Sequence, residues 1–210
     1  MPGIKIGSAP VKRVVLGDGA GGKTLKRVVL GDGSAGTVLW QNKPVVVINN
    51  ASNPDVQLRK AVAAYGLDYR TVTELPFDLD TSAATSLNDM FSSCRGLKTI
   101  PPMDTRNVTS FSGTFQKCSA LTTIPPMDTS KATSMSSMFG ECTSLVFVPV
   151  LDAGLVTNVY DMFNSCAKLT DGNVRLIRRD GTKPGTRTGM VTRSGLTRDP
   201  FFWPDGTPIN

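Results

Sequence analysis

The chain has 210 residues, with 23 Lys and Arg against 17 Asp and Glu for a formal charge of +6, and 40% of it is apolar. That length holds one domain, or a small domain joined to a repeat array, and the composition is that of a folding chain rather than a disordered one. Histidine is absent, which removes Ser–His and Cys–His nucleophile pairs, imidazole proton shuttles and histidine-bearing zinc sites together. The reading is therefore non-enzymatic, with no cofactor and no metal.

In chain order, residues 1–50 carry seven basic and two acidic groups, residues 51–170 nine and eleven, and residues 171–210 seven and four. The positive charge sits in the flanks and not on the largest segment, which argues against nucleic acid as a partner. No apolar run reaches the ~18 residues of a membrane span, and the first residues lack the apolar core of a secretory signal, so a soluble chain without membrane insertion is expected.

Residues 1–50 contain their own duplication, VKRVVLGDG from Val11 and LKRVVLGDG from Leu25, followed by TVLW ending at Trp40 and PVVVINN from Pro44. Apolar runs bounded by glycine-rich turns predict a small β-sheet. Between the copies, Gly17 to Thr24 satisfies the spelling of a phosphate loop, G-x-x-x-x-G-K-T. That motif works by presenting the amides of a following helix. Here the second copy of the strand follows instead, so a hairpin loop is predicted and nucleotide binding is not.

Residues 51–79 are read as a capping helix and linker. Asn53 is the expected cap, Pro54 the first helical residue and Gly66 the residue past the end, with Val56, Leu58, Ala61, Val62 and Tyr65 as the apolar side. The helix is expected to cover an open end of the repeat array.

Residues 80–169 repeat with a period of 24, in copies starting at Asp80, Asp104, Asp128 and Asp152; the first two agree at 12 of 24 positions. Phenylalanine recurs at Phe91, Phe115, Phe139 and Phe163, cysteine at Cys94, Cys118, Cys142 and Cys166, and leucine at Leu97, Leu121, Leu145 and Leu169. In one copy Leu87, Met90, Phe91 and Cys94 fall at i, i+3, i+4 and i+7. This predicts a short helix or helical turn, with Ser86 and Asp89 as a capping box. Leu97 to Ile100 is read as a strand of about four residues closed by Pro101 and Pro102. One copy buries too little apolar surface to offset the entropy of its own backbone, so the copies must stack and bring equivalent side chains into columns about 4.8 Å apart. The cysteines are then buried, free thiols, and the recurring aspartates bond local amides at turns.

Residues 170–210 are read as a C-terminal cap, with a strand and turn in VRLIRRDGTKPG and an aromatic wedge at Phe201, Phe202 and Trp203.

The pattern [VA]-T-[SN]-hydrophobic-x-x-M-F-x-x-C-x-x-L-x-x-[IV]-P over residues 80–169, with Thr114 as the departure at its Met position, resembles the BspA-type leucine-rich repeat family of bacterial surface proteins and some phage proteins. The resemblance implies a short solenoid used for adhesion or protein contact. The end segments IKIGSAPVKRVVLG and SGLTRDPFFWPDGTPI also resemble minor tail or other virion proteins of phages infecting actinobacteria. The expected fold class is α+β, a leucine-rich-repeat-like solenoid of 24-residue repeats with a small N-terminal β segment. The expected role is a phage virion structural protein, minor tail or tail-tip, localised in the virion and assembled in the host cytoplasm. Its expected partners are other virion proteins through residues 1–50 and a host-surface glycan or protein, with several copies per particle or a homo-oligomer. A capsid decoration protein and a bacterial surface adhesin are the alternatives. The expected contact ridge lies between the inward leucines and isoleucines of each copy: Lys98, Thr99, Thr122, Thr123, Val146 and Phe147.

Overall fold

A computed structural model describes strands 13–15, 27–30 and 37–40, then residues 43–50 and 53–209. It divides into two units, residues 1–44 and 45–210. In the first, β1 (Arg13–Val15), β2 (Arg27–Leu30) and β3 (Thr37–Trp40) form an antiparallel sheet in that order, with an irregular register between Val28 and Val29. The glycine-rich stretch from Gly17 to Thr24 lies outside the described residues. The fourth run, β4 (Val45–Val47), does not extend that sheet. It pairs in parallel with β5 (Asp78–Asp80) of the second unit, so the first unit ends before residue 50.

Helix α1 (Pro54–Ala64) begins where Pro54 presets the backbone, and Gly66 at φ +69° ends it. Asn53 caps with its carbonyl, which accepts from the Val56 and Gln57 amides; its side chain makes no capping bond. Leu58 and Val62 are buried, and Ala61 packs partly against the same core. Val56 and Tyr65 are exposed, which corrects the five-residue apolar face. Val56 is two residues from Leu58, nearly half a turn off the buried stripe.

From residue 80 onward, each copy bonds to the next at the same places. Isolated parallel bridges join Ser86 to Ser110, Ser110 to Ser134, Ser134 to Asn158, and Asn158 to Thr186. The segment expected as a helix is a run of tight turns. Met90, Ser92 and Cys94 donate their amides three residues back, to Leu87, Asp89 and Phe91, while Asp89, Phe91 and Ser93 donate to Ser112, Thr114 and Gln116 of the next copy. Asp89 and Ser93 have φ of 56° and 66°, outside any right-handed helix. The capping box is absent as well: the Ser86 hydroxyl accepts from the Asn88 amide, and the Asp89 amide is already spent on Ser112. Turns of this kind satisfy the same i, i+3, i+4, i+7 spacing of inward side chains, so apolar periodicity alone could not separate the two.

Leu97 to Ile100, expected as a strand, forms no ladder. Pro101, Pro102, Pro125 and Pro126 supply no amide hydrogens, and this side of the stack is joined only sparsely, by bonds such as Lys98 N–H to Thr73 O and Val146 N–H to Thr122 O. Ladders appear where the proline pair is lost. The strands β6 (Leu151–Asp152), β7 (Leu176–Ile177) and β8 (Phe201–Phe202) form a parallel sheet in that order.

The stack runs beyond the fourth copy. Phe163 and Ser165 donate to Met190 and Thr192, as Phe91 and Ser93 do to Thr114 and Gln116 between the first two copies. Val191 therefore stands at the Phe position and Ser194 at the Cys position of a fifth, degenerate coil. Its offset grows from 24 residues at Leu145 and Leu169 to 25 at Leu151 and Leu176, then 28 at Asn158 and Thr186. The first added residue falls beside the 3₁₀ turn Asp171–Asn173, and three more lie between Ile177 and Thr186. Arg178 fills the space these open: its buried guanidinium donates to the carbonyls of Ala153 and Val156, each at 2.8 Å, and pairs with Asp180. Finally the chain reverses, with Ile209 N–H on Phe201 O, Trp203 N–H on Thr207 O and Phe202 bridged antiparallel to Pro208. This hairpin occupies the edge of β8 that another parallel coil would need.

Candidate functional site

The interior of the stack is a set of files. Rings of Phe91, Phe115, Phe139 and Phe163 lie with centroids 5.5, 5.5 and 5.6 Å apart and planes within 15° of parallel. The four cysteines stand in one buried file beside them, and the thiols of Cys118, Cys142 and Cys166 each donate to the carbonyl of the Phe in the preceding copy, Phe91, Phe115 and Phe139. Burial pushes the Cys94 and Cys166 thiols up to about 12 and those of Cys118 and Cys142 well above their ordinary value. At neutral pH these sulfurs are protonated and sealed from solvent, and a thiol in that state is a poor nucleophile and a poor metal ligand. Among the described residues no group of three or more Cys, Asp or Glu side chains converges as a metal site.

One more file ties the coils, and a second closes turns within them. Thr81, Thr105 and Thr129 are buried, and their hydroxyls donate to the carbonyls of Asp104, Asp128 and Asp152 at 2.7, 2.8 and 2.9 Å. The aspartates before them close local turns: Asp80, Asp104, Asp128 and Asp152 accept the amides of Ser82, Arg106, Ser130 and Gly154. At Asp80, Asp104 and Asp128 those bonds favour the ionised carboxyl. The Arg106 side chain holds Asp104 down to about 2, and the hydroxyls of Ser82 and Ser130 lower Asp80 and Asp128.

On this frame the six ridge residues are all exposed, between the buried pairs Leu97 and Ile100, Leu121 and Ile124, and Leu145 and Val148. Their character changes along the stack, from Lys98 and Thr99 through Thr122 and Thr123 to Val146 and Phe147, with Phe147 49% exposed. Val150, 59% exposed, adds to the apolar end. It is absent from the ridge expected by sequence, although an apolar residue at the position of Pro102 and Pro126 was a signal that could have found it. The next coil ends the ridge with Asp171, whose carboxylate holds the Thr197 amide and hydroxyl and is lowered by them. The ridge therefore offers a cation at Lys98, the hydroxyls of Thr99, Thr122 and Thr123, and one apolar terminus.

Known proteins bear on the same coils. A family model described as Mycoplasma protein of unknown function, DUF285, matches residues 70–175, half of the chain. The chain belongs to the DUF285 family. No curated protein and no solved structure is matched. The DUF285 segment takes in the four copies with their BspA-like motif and the partial coil before them, in which Arg70 and Thr73 accept the amides of Gly96 and Lys98. It stops at the 3₁₀ turn where the 24-residue spacing begins to lengthen.

Proposed function

We propose that this DUF285 chain is a non-enzymatic contact module, in which residues 80–169 act as a short α+β solenoid and hold the ridge Lys98, Thr99, Thr122, Thr123, Val146 and Phe147 toward a partner surface. The observation that carries the reading is the exposure of Val146 and Phe147 directly over a fully buried Leu145, on coils locked by stacked rings and inter-coil bonds. Exposed aromatic and apolar side chains on a rigid support lose little entropy when they bind. The lack of histidine and the four sealed thiols support a role without covalent chemistry.

The finer placement is a virion: a minor tail or tail-tip protein, with residues 1–50 held by other virion proteins and the solenoid facing a host-surface glycan or protein. The likeness of both end segments to virion proteins supports it. A capsid decoration role shares that support. A bacterial surface adhesin is favoured instead by the bacterial description of the matched family. Immunogold labelling of purified particles and of intact cells with an antibody to this chain separates these, as gold on the tail, on the capsid or on the cell envelope. For the ridge itself, Lys98→Ala with Phe147→Ala should reduce adsorption of the labelled assemblies to target cells at least fivefold. Unchanged adsorption by that double variant would remove the ridge from the proposal.

A further inference from the structure

A second built feature lies on the same coils, away from the ridge. Lys117, Glu141, Ser165 and Arg193 occupy equivalent positions, and all have φ between 56° and 63°. Non-glycine residues enter this region only when their surroundings hold them there. Here the amides of Lys117, Glu141 and Ser165 donate to Gly140, Asn164 and Thr192 of the next coil at 2.7–2.8 Å. The side chains therefore leave a backbone that is fixed before any ligand arrives. They form one wall of an open groove of about 640 Å³, whose other wall is Arg95, Ser119 and Thr143.

The charges in this groove are uneven. Lys117 and Glu141 pair with each other at 3.7 Å in the middle. Arg95 and Arg193 are exposed and have no ion-pair partner among the described residues. They sit four coils apart, about 20 Å at ~4.8 Å per step. Between them the Ser119 and Thr143 hydroxyls make only long bonds to backbone carbonyls, 3.4 and 3.5 Å, and keep their lone pairs for other donors.

We propose that this groove binds an acidic polysaccharide, with a carboxylate on Arg95, another on Arg193, and between them sugars whose hydroxyls meet Glu141, Ser119 and Thr143 and whose carboxylate meets Lys117. Guanidinium forks match carboxylates geometrically, and Glu141 accepts from sugar hydroxyls where it would repel an anion. A nucleic-acid strand fits poorly: it carries a phosphate on every nucleotide, so that some would meet Glu141, and the groove offers no aromatic ring on which bases could stack. The inference deepens the contact-module reading, on which it rests, but through residues outside the ridge.

The test uses the full chain and hyaluronan fragments, in which every second sugar carries a carboxylate, with neutral dextran and a single-stranded oligonucleotide alongside. Titration calorimetry should show hyaluronan binding that weakens with salt and falls at least tenfold in Arg95→Gln/Arg193→Gln, with no binding of dextran. Both arginines are exposed, and thermal unfolding followed by circular dichroism establishes that the variant is folded; a folded Arg95→Gln single variant should give a smaller loss. Lys98→Ala/Phe147→Ala should bind hyaluronan as the parent does. Equal hyaluronan binding by the double Gln variant, no hyaluronan binding by the parent, dextran binding as tight as hyaluronan, or tighter binding of the oligonucleotide would each overturn the proposal. If the groove variant fails in this way while the ridge variant loses cell adsorption, the ridge stands without the groove; the reverse pattern leaves the groove without the ridge.

Discussion

Phe115→Ala is the most informative perturbation of the stack. Phe115 is fully buried and its ring meets two others, Phe91 and Phe139, each at 5.5 Å and 15°. Truncating a buried phenylalanine costs about 3–5 kcal/mol, and each ring pair adds roughly 0.5–1.5 kcal/mol beyond area burial. Because the truncation breaks two ring pairs at once, and coils above and below restrict collapse of the void, the upper end applies, about 5 kcal/mol. Phe91, stacked on one phenylalanine ring, should cost about 1 kcal/mol less on truncation. Domains of this size are stable by roughly 5–15 kcal/mol, so Phe115→Ala should lower the urea midpoint sharply in a far-ultraviolet circular dichroism titration. Phe147→Ala, half-exposed on the ridge, should change stability by no more than about 1 kcal/mol. A Phe115→Ala loss below about 1 kcal/mol, or one matched by Phe147→Ala, would refute the idea that stacked interior files carry the fold.

The thiols supply a second prediction: native protein at pH 8 should react with a thiol reagent at under ~1% of the unfolded rate, and all four cysteines should react in denaturant. Because the folded values of Cys94 and Cys166, about 12, lie above the unfolded value, stability is whole below pH ~8.5 and falls as pH rises toward 12; a urea midpoint that does not drop between pH 8 and 11 would contradict this. The aspartates act in the opposite direction. Asp104 at about 2, with Asp80 and Asp128 also lowered, contributes stability present above pH ~4 and lost as pH falls toward 2, and Arg106→Ala should bring the Asp104 carboxyl back toward its ordinary value in a carbon-detected NMR titration. Arg178→Met should strand the carbonyls of Ala153 and Val156 and cost about 2–4 kcal/mol, seen as faster hydrogen exchange of the fifth coil and the terminal hairpin with little change near α1.

Much of the site was legible because its residues recur. The ridge positions follow from the inward Leu and Ile of each copy, and the turn role of Asp80, Asp104, Asp128 and Asp152 from the local bonding habit of aspartate. The groove was not legible. Its wall positions hold Lys117, Glu141, Ser165 and Arg193, residues too unlike one another to register as a repeat. Arg193 joins them only after the offset has grown to 28 residues. The fifth coil was hidden for the same reason, since Val191 and Ser194 replace its Phe and Cys.

The amino-acid order alone determined the register of the repeats, because a constant 24-residue interval leaves Phe, Cys and Leu no better neighbours than their own equivalents. It could not determine the backbone between them. An i, i+3, i+4, i+7 apolar spacing suits a helix and a run of tight turns equally, and the choice was made by amides whose acceptors lie 23 residues away, on the next coil. Tertiary contact also decided which extended pieces became strands: β4 left its neighbours in sequence for β5, and ladders formed at β6, β7 and β8, where no proline pair removes the amide hydrogens that parallel pairing requires.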